Sequence, residues 1–259
     1  MKKRIMDLCV THSERVGAQC VWLKARPTEG SLPVCLPGQF AQLRADTPGV
    51  LLRRPISIHD VCGDEVSFLV QMVGEGTRWL GQLGVGDVVN AVMPLGNGFS
   101  LMPEDTPLLV GGGVGVAPLL YLGRALREKG VKPTFLLGAR TKDLLLRLDA
   151  FREVGDVLVA TEDGSEGERG FVTQHSVFSQ LSASATNGCS RIYTCGPAPM
   201  MKAVAKLARE CGVACEVSLE NRMACGVGAC LCCVTETNDG HNRCVCTEGP
   251  VFDAEVLRW

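Results

Sequence analysis

From roughly residue 5 to residue 100, apolar and polar side chains alternate with a period of two. Ala41, Leu43 and Ala45 alternate with Gln42 and Arg44, and Val66, Phe68, Val70 and Met72 with Ser67 and Gln71. Pro37-Gly38, Pro48-Gly49, Gly63-Asp64 and Gly86-Asp87 interrupt the runs at strand-length intervals. This pattern predicts several short antiparallel strands arranged as a barrel or sandwich. Near Pro94-Leu-Gly-Asn-Gly-Phe99 the rhythm changes. Leu108 to Gly112 reads as a short apolar strand, Ala117 to Lys129 as an amphipathic helix ended by Gly130, Val131 to Leu137 as a strand and Leu144 to Arg152 as a helix. Further strands are expected at Asp156–Ala160, Arg191–Thr194 and Cys215–Leu219, with helices near Thr173–Leu181 and Pro199–Glu210. Such alternation predicts a parallel sheet covered on both faces. The last forty residues are organised by cysteine instead.

Composition narrows the function classes. A chain of 259 residues that is 46% hydrophobic buries a sizeable core and is expected to split into two or three domains. A net charge of -2 and 5% aromatics leave neither a basic footprint nor stacking platforms for nucleic acid. Asp7, Thr11, His12 and Ser13 break any apolar leader, and Leu108–Leu122 is interrupted by four glycines and a proline. A cytoplasmic protein with no membrane partner is therefore expected. The chain holds fourteen cysteines. In a reducing cell Cys9, Cys20, Cys35, Cys62, Cys189, Cys211 and Cys215 are expected to be buried thiols rather than a disulfide framework.

Six cysteines fall between Cys225 and Cys246. Cys225, Cys230 and Cys233 are spaced C-x4-C-x2-C, as plant-type ferredoxins space three ligands of a [2Fe–2S] cluster, and a fourth thiolate must follow, Cys244 or Cys246. Choosing Cys232 in place of Cys233 would make the loop too tight. Upstream, Arg54-Pro-Ile-Ser57 projects a guanidinium fork and a hydroxyl from a stiff extended segment. Gly74-Glu-Gly-Thr77 closes the strand that ends Leu69-Val-Gln-Met72, a turn able to form an anion nest. Gly111-Gly-Gly-Val-Gly-Val-Ala-Pro118 joins a strand to a helix, where backbone N–H groups meet phosphate. It is not a Rossmann fingerprint, since Val116 stands where that pattern needs glycine and no acidic residue follows in the next strand. Tyr193-Thr-Cys195-Gly196-Pro197 lies at the C-terminal end of a strand, where open α/β sheets bind ligands.

Arg54-x-x-Ser57, Gly-x-Gly-Thr77, the Gly-x-Gly-x-x-Pro118 turn and Cys195-Gly-Pro together resemble the ferredoxin-reductase superfamily. With Ser218-Leu-Glu-Asn-Arg-Met-Ala-Cys225-Gly-Val-Gly-Ala-Cys230 and Gly249-Pro-Val-Phe252, the whole chain resembles the electron-transfer subunits of B-type dihydroorotate dehydrogenases. The resemblance implies an antiparallel Greek-key barrel for FAD over residues 1–103, a parallel α/β domain for NAD over 104–214 and a small [2Fe–2S] domain over 215–259. It implies flavin contacts from Arg54, Pro55, Ile56, Ser57, Leu69, Val70, Gln71, Gly76 and Thr77. Nicotinamide contacts are implied from Gly112, Gly113, Gly115, Cys195, Gly196 and Pro197, with Cys195 packing rather than attacking. The family's last ligand precedes its Gly-Pro turn, which selects Cys246, so the implied set is Cys225, Cys230, Cys233 and Cys246. A separate FMN-containing catalytic subunit would oxidise dihydroorotate, in a heterotetramer of two catalytic and two electron-transfer chains. The competing readings are an NAD(P)H reductase serving another redox partner, with Arg140 greeting a 2′-phosphate, and a zinc-stabilised binding module.

Overall fold

The computed structural model describes residues 3–102, 106–181 and 189–258. Its first unit is a closed barrel of β1 (Arg4–Val16), β2 (Cys20–Pro27), β3 (Phe40–Leu43), β4 (Arg54–Cys62), β5 (Glu65–Gln71) and β6 (Val88–Leu95). A short helix, α1 (Glu75–Leu80), sits between the last two strands. The strand order β1-β2-β5-β4-β3-β6, antiparallel throughout, is a Greek key. The period-two residues Val10, Leu23, Ala41, Leu43, Val66, Phe68 and Val70 fill its interior. β3 departs from simple alternation, because its outer residues Phe40 and Gln42 are buried as well.

The second unit is a sheet of β7 (Pro107–Gly112), β8 (Thr134–Ala139), β9 (Asp156–Thr161), β10 (Glu168–Arg169), β11 (Arg191–Cys195) and β12 (Ala214–Ser218). These strands run parallel in the order β10-β9-β8-β7-β11-β12. Helices α2 (Ala117–Glu128), α3 (Leu148–Arg152), α4 (Val177–Leu181) and α5 (Ala198–Glu210) connect them. One face packs Leu108, Val110, Leu136 and Ile192 against Met201, Val204 and Ala208 of α5. The other packs Leu109, Phe135, Leu137 and Tyr193 against Leu119, Leu122 and Leu126 of α2. Every residue of β7 is buried, as a central strand covered on both faces requires. β8 begins at Thr134, three residues after the expected start, and α3 covers only the end of the expected 144–152 helix. The cause of the second difference is Arg147, which takes a left-handed φ of 54° as its guanidinium stacks 3.4 Å from the Trp22 ring centroid. Tertiary contact there overrides helix propensity.

The C-terminal stretch forms a hairpin, β13 (Val234–Glu236) with β14 (Asn242–Cys244), and returns as β15 (Val251–Asp253) to pair antiparallel with β12. The expected junction at 214/215 falls at the start of β12, and the sheet holds strands from both sides of it; the one at 103/104 lies outside the described residues. None of the fourteen cysteines is in a disulfide, but not all seven scattered ones are buried. Cys20, Cys35 and Cys215 are; Cys9, Cys189 and Cys211 are half-buried, and Cys62 is exposed where β4 turns at Gly63. Among the described residues no helix is long and apolar enough to cross a membrane.

The barrel and the nucleotide sheet are clamped through α2. Tyr121 donates its hydroxyl to the Cys35 carbonyl at 2.9 Å, and Arg124 pairs with Asp60 at 3.1 Å. Between them His59, with no exposed surface, donates Nδ1–H to the Ala117 carbonyl at 2.7 Å and accepts from Arg147 at Nε2 at 2.9 Å. Burial first, then the Arg147 and Arg124 charges, push its imidazole down to about 3. The folded state therefore holds His59 neutral, while the unfolded chain protonates it below its ordinary value of 6.5. Stability is unaffected above that value and falls as pH drops below it, at about 1.4 kcal/mol per pH unit for this group. Gln in place of His can keep one donor and one acceptor without titrating. Comparing denaturant midpoints at pH 7 and about pH 5, His59→Gln is expected to flatten the loss by up to ~2 kcal/mol; an unchanged pH slope would assign the acid sensitivity elsewhere.

Candidate functional site

Two cavities meet where the barrel, the glycine-rich turn and the C-terminal stretch converge. The smaller, about 350 Å³, is lined by Phe40, Pro55, Ile56, Ser57, Leu69, Gln71 and Thr77 from the barrel side. Ala117 borders it from the nucleotide domain, and Ser218 to Met223 with Pro250 from the C-terminal stretch. Of the residues expected at a flavin, Val70 does not reach it: strand alternation turns Val70 into the barrel core. Arg54 and Gly76 are brought together beside the cavity, the guanidinium Nε standing 2.5 Å from where a Cβ on residue 76 would lie. Only a glycine leaves that contact open. The Thr77 hydroxyl is engaged within the turn itself. It donates to the Gly74 carbonyl and accepts from the Val73 and Gly74 N–H groups, each at 3.0 Å, and so builds the turn. The cavity's polar wall was not foreseen from the motifs: Glu220 opens onto it, an exposed residue whose carboxyl is nonetheless raised above the usual range by desolvation against the cavity wall.

The larger cavity, about 570 Å³, opens at the C-terminal edge of the parallel strands. Gly112, Gly113, Arg140, Glu162 and Pro197 line it, together with the loop Gly170–Thr173. The β1–β2 turn, Val16 to Cys20, closes its far side, a contribution with no motif to announce it. Gln71 and Val114 border both cavities, so these two side chains would stand at the seam between groups bound in each.

Gly115 and Cys195 lie behind the cavity rather than in it. A Cβ on residue 115 would stand 2.4 Å from Gly196 Cα and 2.6 Å from the Cys195 carbonyl, so the glycine lets the two turns touch. Cys195 is buried, and burial first, then the nearby Glu220 charge, raise its thiol far above the usual range. This is a packing cysteine, not a nucleophile.

The four candidate ligands come as two pairs. Cys225 Sγ accepts the N–H groups of Val227 and Cys230, each at 3.4 Å, and these donors, Val227 first, pull its thiol down to about 6. Cys233 and Cys246 are buried side by side: Cys246 N–H donates to Cys233 Sγ at 3.4 Å, and Gly228 N–H to Cys246 Sγ at 3.1 Å. Burial pushes the Cys246 thiol up to about 12. Cys244 is half-buried against the same core, with its N–H bound to Glu248, and Cys232 is exposed. Among the described residues no three such side chains converge on one ion site. Two thiol pairs with N–H donors on the sulfurs suit two irons, each needing two thiolates and hydrogen bonds to its sulfurs. The donor set therefore fits a [2Fe–2S] cluster.

The family model described as the iron-sulfur cluster binding domain of dihydroorotate dehydrogenase B matches residues 220–258, and the oxidoreductase NAD-binding domain matches residues 109–206. A protein of Fusobacterium nucleatum named as the electron transfer subunit of dihydroorotate dehydrogenase B (NAD(+)) is 42% identical over 231 residues, 85% of this chain and 87% of the relative. The protein of the same name from Shouchella clausii is 43% identical over 225 residues, 83% and 84% of the two chains. Among solved structures, NADH-dependent reduced ferredoxin-NADP oxidoreductase superposes with a TM-score of 0.86 at 31% identity, covering 97% of this chain and 90% of that one. The ferredoxin reductase in carbazole 1,9a-dioxygenase shares the fold, with a TM-score of 0.68 at 24% identity over 82% and 67% of the two chains.

The Gly115 contact yields a direct test of the larger cavity. Gly115→Ala drives a methyl into the Cys195–Gly196 backbone and displaces the glycine-rich turn. NADH binding, read by titration of the purified protein, is expected to weaken about tenfold or more, the equivalent of ~1.4 kcal/mol, with flavin content unchanged. Unchanged NADH affinity would remove the turn from the nucleotide site.

Proposed function

This chain belongs to the electron-transfer subunits of dihydroorotate dehydrogenase B, and from that membership we propose how its sites work as one relay. It is an oxidoreductase subunit that uses a [2Fe–2S] cluster, FAD and NAD. We infer that electrons arrive from the FMN of a separate catalytic subunit, which oxidises dihydroorotate in pyrimidine synthesis, and leave as hydride to NAD⁺. The assembly proposed is a heterotetramer of two catalytic and two electron-transfer chains, with the three units of this chain at 1–103, 104–214 and 215–259.

One observation carries the order of the stations. A single segment threads all three candidate sites: Ser218 pairs in register with Cys195 at the edge of the nucleotide sheet, Leu219 to Met223 wall the smaller cavity, and Cys225 begins the cluster loop two residues later. When bound, the cluster supplies one-electron transfer and the flavin converts single electrons to a hydride pair. The chain's own residues hold these groups in place. Arg54 offers its fork to a flavin phosphate, Ser57 its hydroxyl to the ring edge, and Gly112 and Gly113 their backbone to the dinucleotide pyrophosphate. Gln71 and Val114 set the seam where nicotinamide and flavin meet, and Cys225, Cys230, Cys233 and Cys246 hold the cluster. Exposed Val227 and Leu231 on the cluster loop offer an apolar face for the catalytic subunit.

The likeness to NADH-dependent reduced ferredoxin-NADP oxidoreductase supports a second reading, a reductase for a different redox partner. Reconstitution separates the two. With the catalytic subunit added, this chain is expected to support dihydroorotate-dependent reduction of NAD⁺. Cys230→Ser is expected to lose the cluster and that activity while keeping FAD and NADH-driven dye reduction. Full dihydroorotate-to-NAD⁺ activity in Cys230→Ser would take the cluster out of the path. Reduction of ferredoxin without any binding to the catalytic subunit would establish the second reading.

A further inference from the structure

A buried carboxamide on the barrel lies outside both cavities and has no protein partner. Gln42, on the outer face of β3, has no exposed surface, and neither its amide nitrogen nor its amide oxygen makes a hydrogen bond. Its backbone is secured, since Arg53 reaches the Gln42 carbonyl at 3.3 Å and the Asn90 carbonyl on β6 at 3.0 Å. Only the carboxamide is left over. A buried amide without partners destabilises a fold, whereas an apolar side chain of the same shape does not. The carboxamide therefore points to a partner that the protein itself does not supply.

Its surroundings identify that partner by chemistry. Gln42 is two residues beyond Phe40 on the same face of β3, and Phe40 walls the smaller cavity while packing in one core with Cys233 and Cys246. On the far side, Gln42 presses on the cluster loop: a Cβ on residue 226 would stand 2.7 Å from Gln42 Cγ and 2.8 Å from Nε2. Gly226 follows Cys225 directly, so the amide N–H₂ lies against the loop whose N–H groups already converge on sulfur. Sulfide and thiolate sulfurs are acceptors that need donors, and hydrogen bonds to them favour the more negative, reduced cluster. Resting on the cluster reading above, we propose that the Gln42 carboxamide donates an N–H to sulfur on the Cys225 side of the cluster and raises its potential. Gln42 is thus a positioning residue between the cluster and the flavin cavity.

The test uses the full chain with its cofactors in place. Gln42→Met and Gln42→Leu remove the donor while filling the space. Iron, sulfide and flavin per chain are expected at wild-type levels. In an EPR-monitored redox titration, the ratio of reduced to oxidised cluster at a fixed poise is expected to fall about tenfold, equivalent to ~59 mV for one electron. In wild-type protein labelled with ¹⁵N in its glutamine side chains, the reduced cluster is expected to show a nitrogen coupling that both variants lose. An unchanged potential with an intact cluster would overturn the assignment. So would absence of any glutamine coupling in the wild type, a result that needs no variant to fold. A wild-type protein without iron and sulfide would instead overturn the cluster reading itself, and the Gln42 inference with it.

Discussion

The relay depends on a steric constraint: the cluster loop must lie flat against the outer face of β3. Phe40 and Leu95 of the barrel share one apolar core with Cys233, Val245, Cys246 and Phe252, so the buried thiol pair is part of the barrel's outer packing. Asn97, in the connection leaving the barrel, fastens the other end. Its carboxamide donates to the Glu248 and Val251 carbonyls at 3.0 and 2.8 Å and accepts the Val251 N–H at 3.0 Å. At roughly 0.5–1.5 kcal/mol each, these bonds are worth a few kcal/mol, enough to hold a forty-residue appendage in one place. β15 then completes the attachment by pairing with β12.

A second constraint sets the nucleotide site against the flavin site. The α2 clamp of Tyr121, His59 and Arg124 is anchored in the barrel, and α2 begins at the end of the glycine-rich turn. Turn and barrel therefore move as one piece. The neutrality of His59 matters here, because a charged imidazole would face Arg147 and Arg124 in a fully buried site. Stability of the interface and geometry of the site thus share one group.

Much of this was legible in the chain. Period-two alternation located the barrel, and the change of rhythm near Pro94 located the sheet, because both report which faces are buried. Cysteine spacing nominated three candidate ligands by residue count alone. What the pattern missed was decided by packing between distant segments. Gln42 alternates as an outward polar residue, but the C-terminal stretch covers it. Arg147 sits in a helical pattern and is drawn out of it by Trp22 and His59. Glu220 and the Val16–Cys20 turn line cavities that exist only after three units assemble.

The central claim is the order of the stations: cluster, then flavin, then nicotinamide. Anaerobic rapid mixing of the isolated chain with NADH runs the relay backwards and exposes that order. The flavin absorbance is expected to bleach first, and the EPR signal of the reduced cluster to grow in afterwards, at a rate that vanishes when flavin is stripped. Reduction of the cluster ahead of the flavin, or at an unchanged rate without it, would contradict the account.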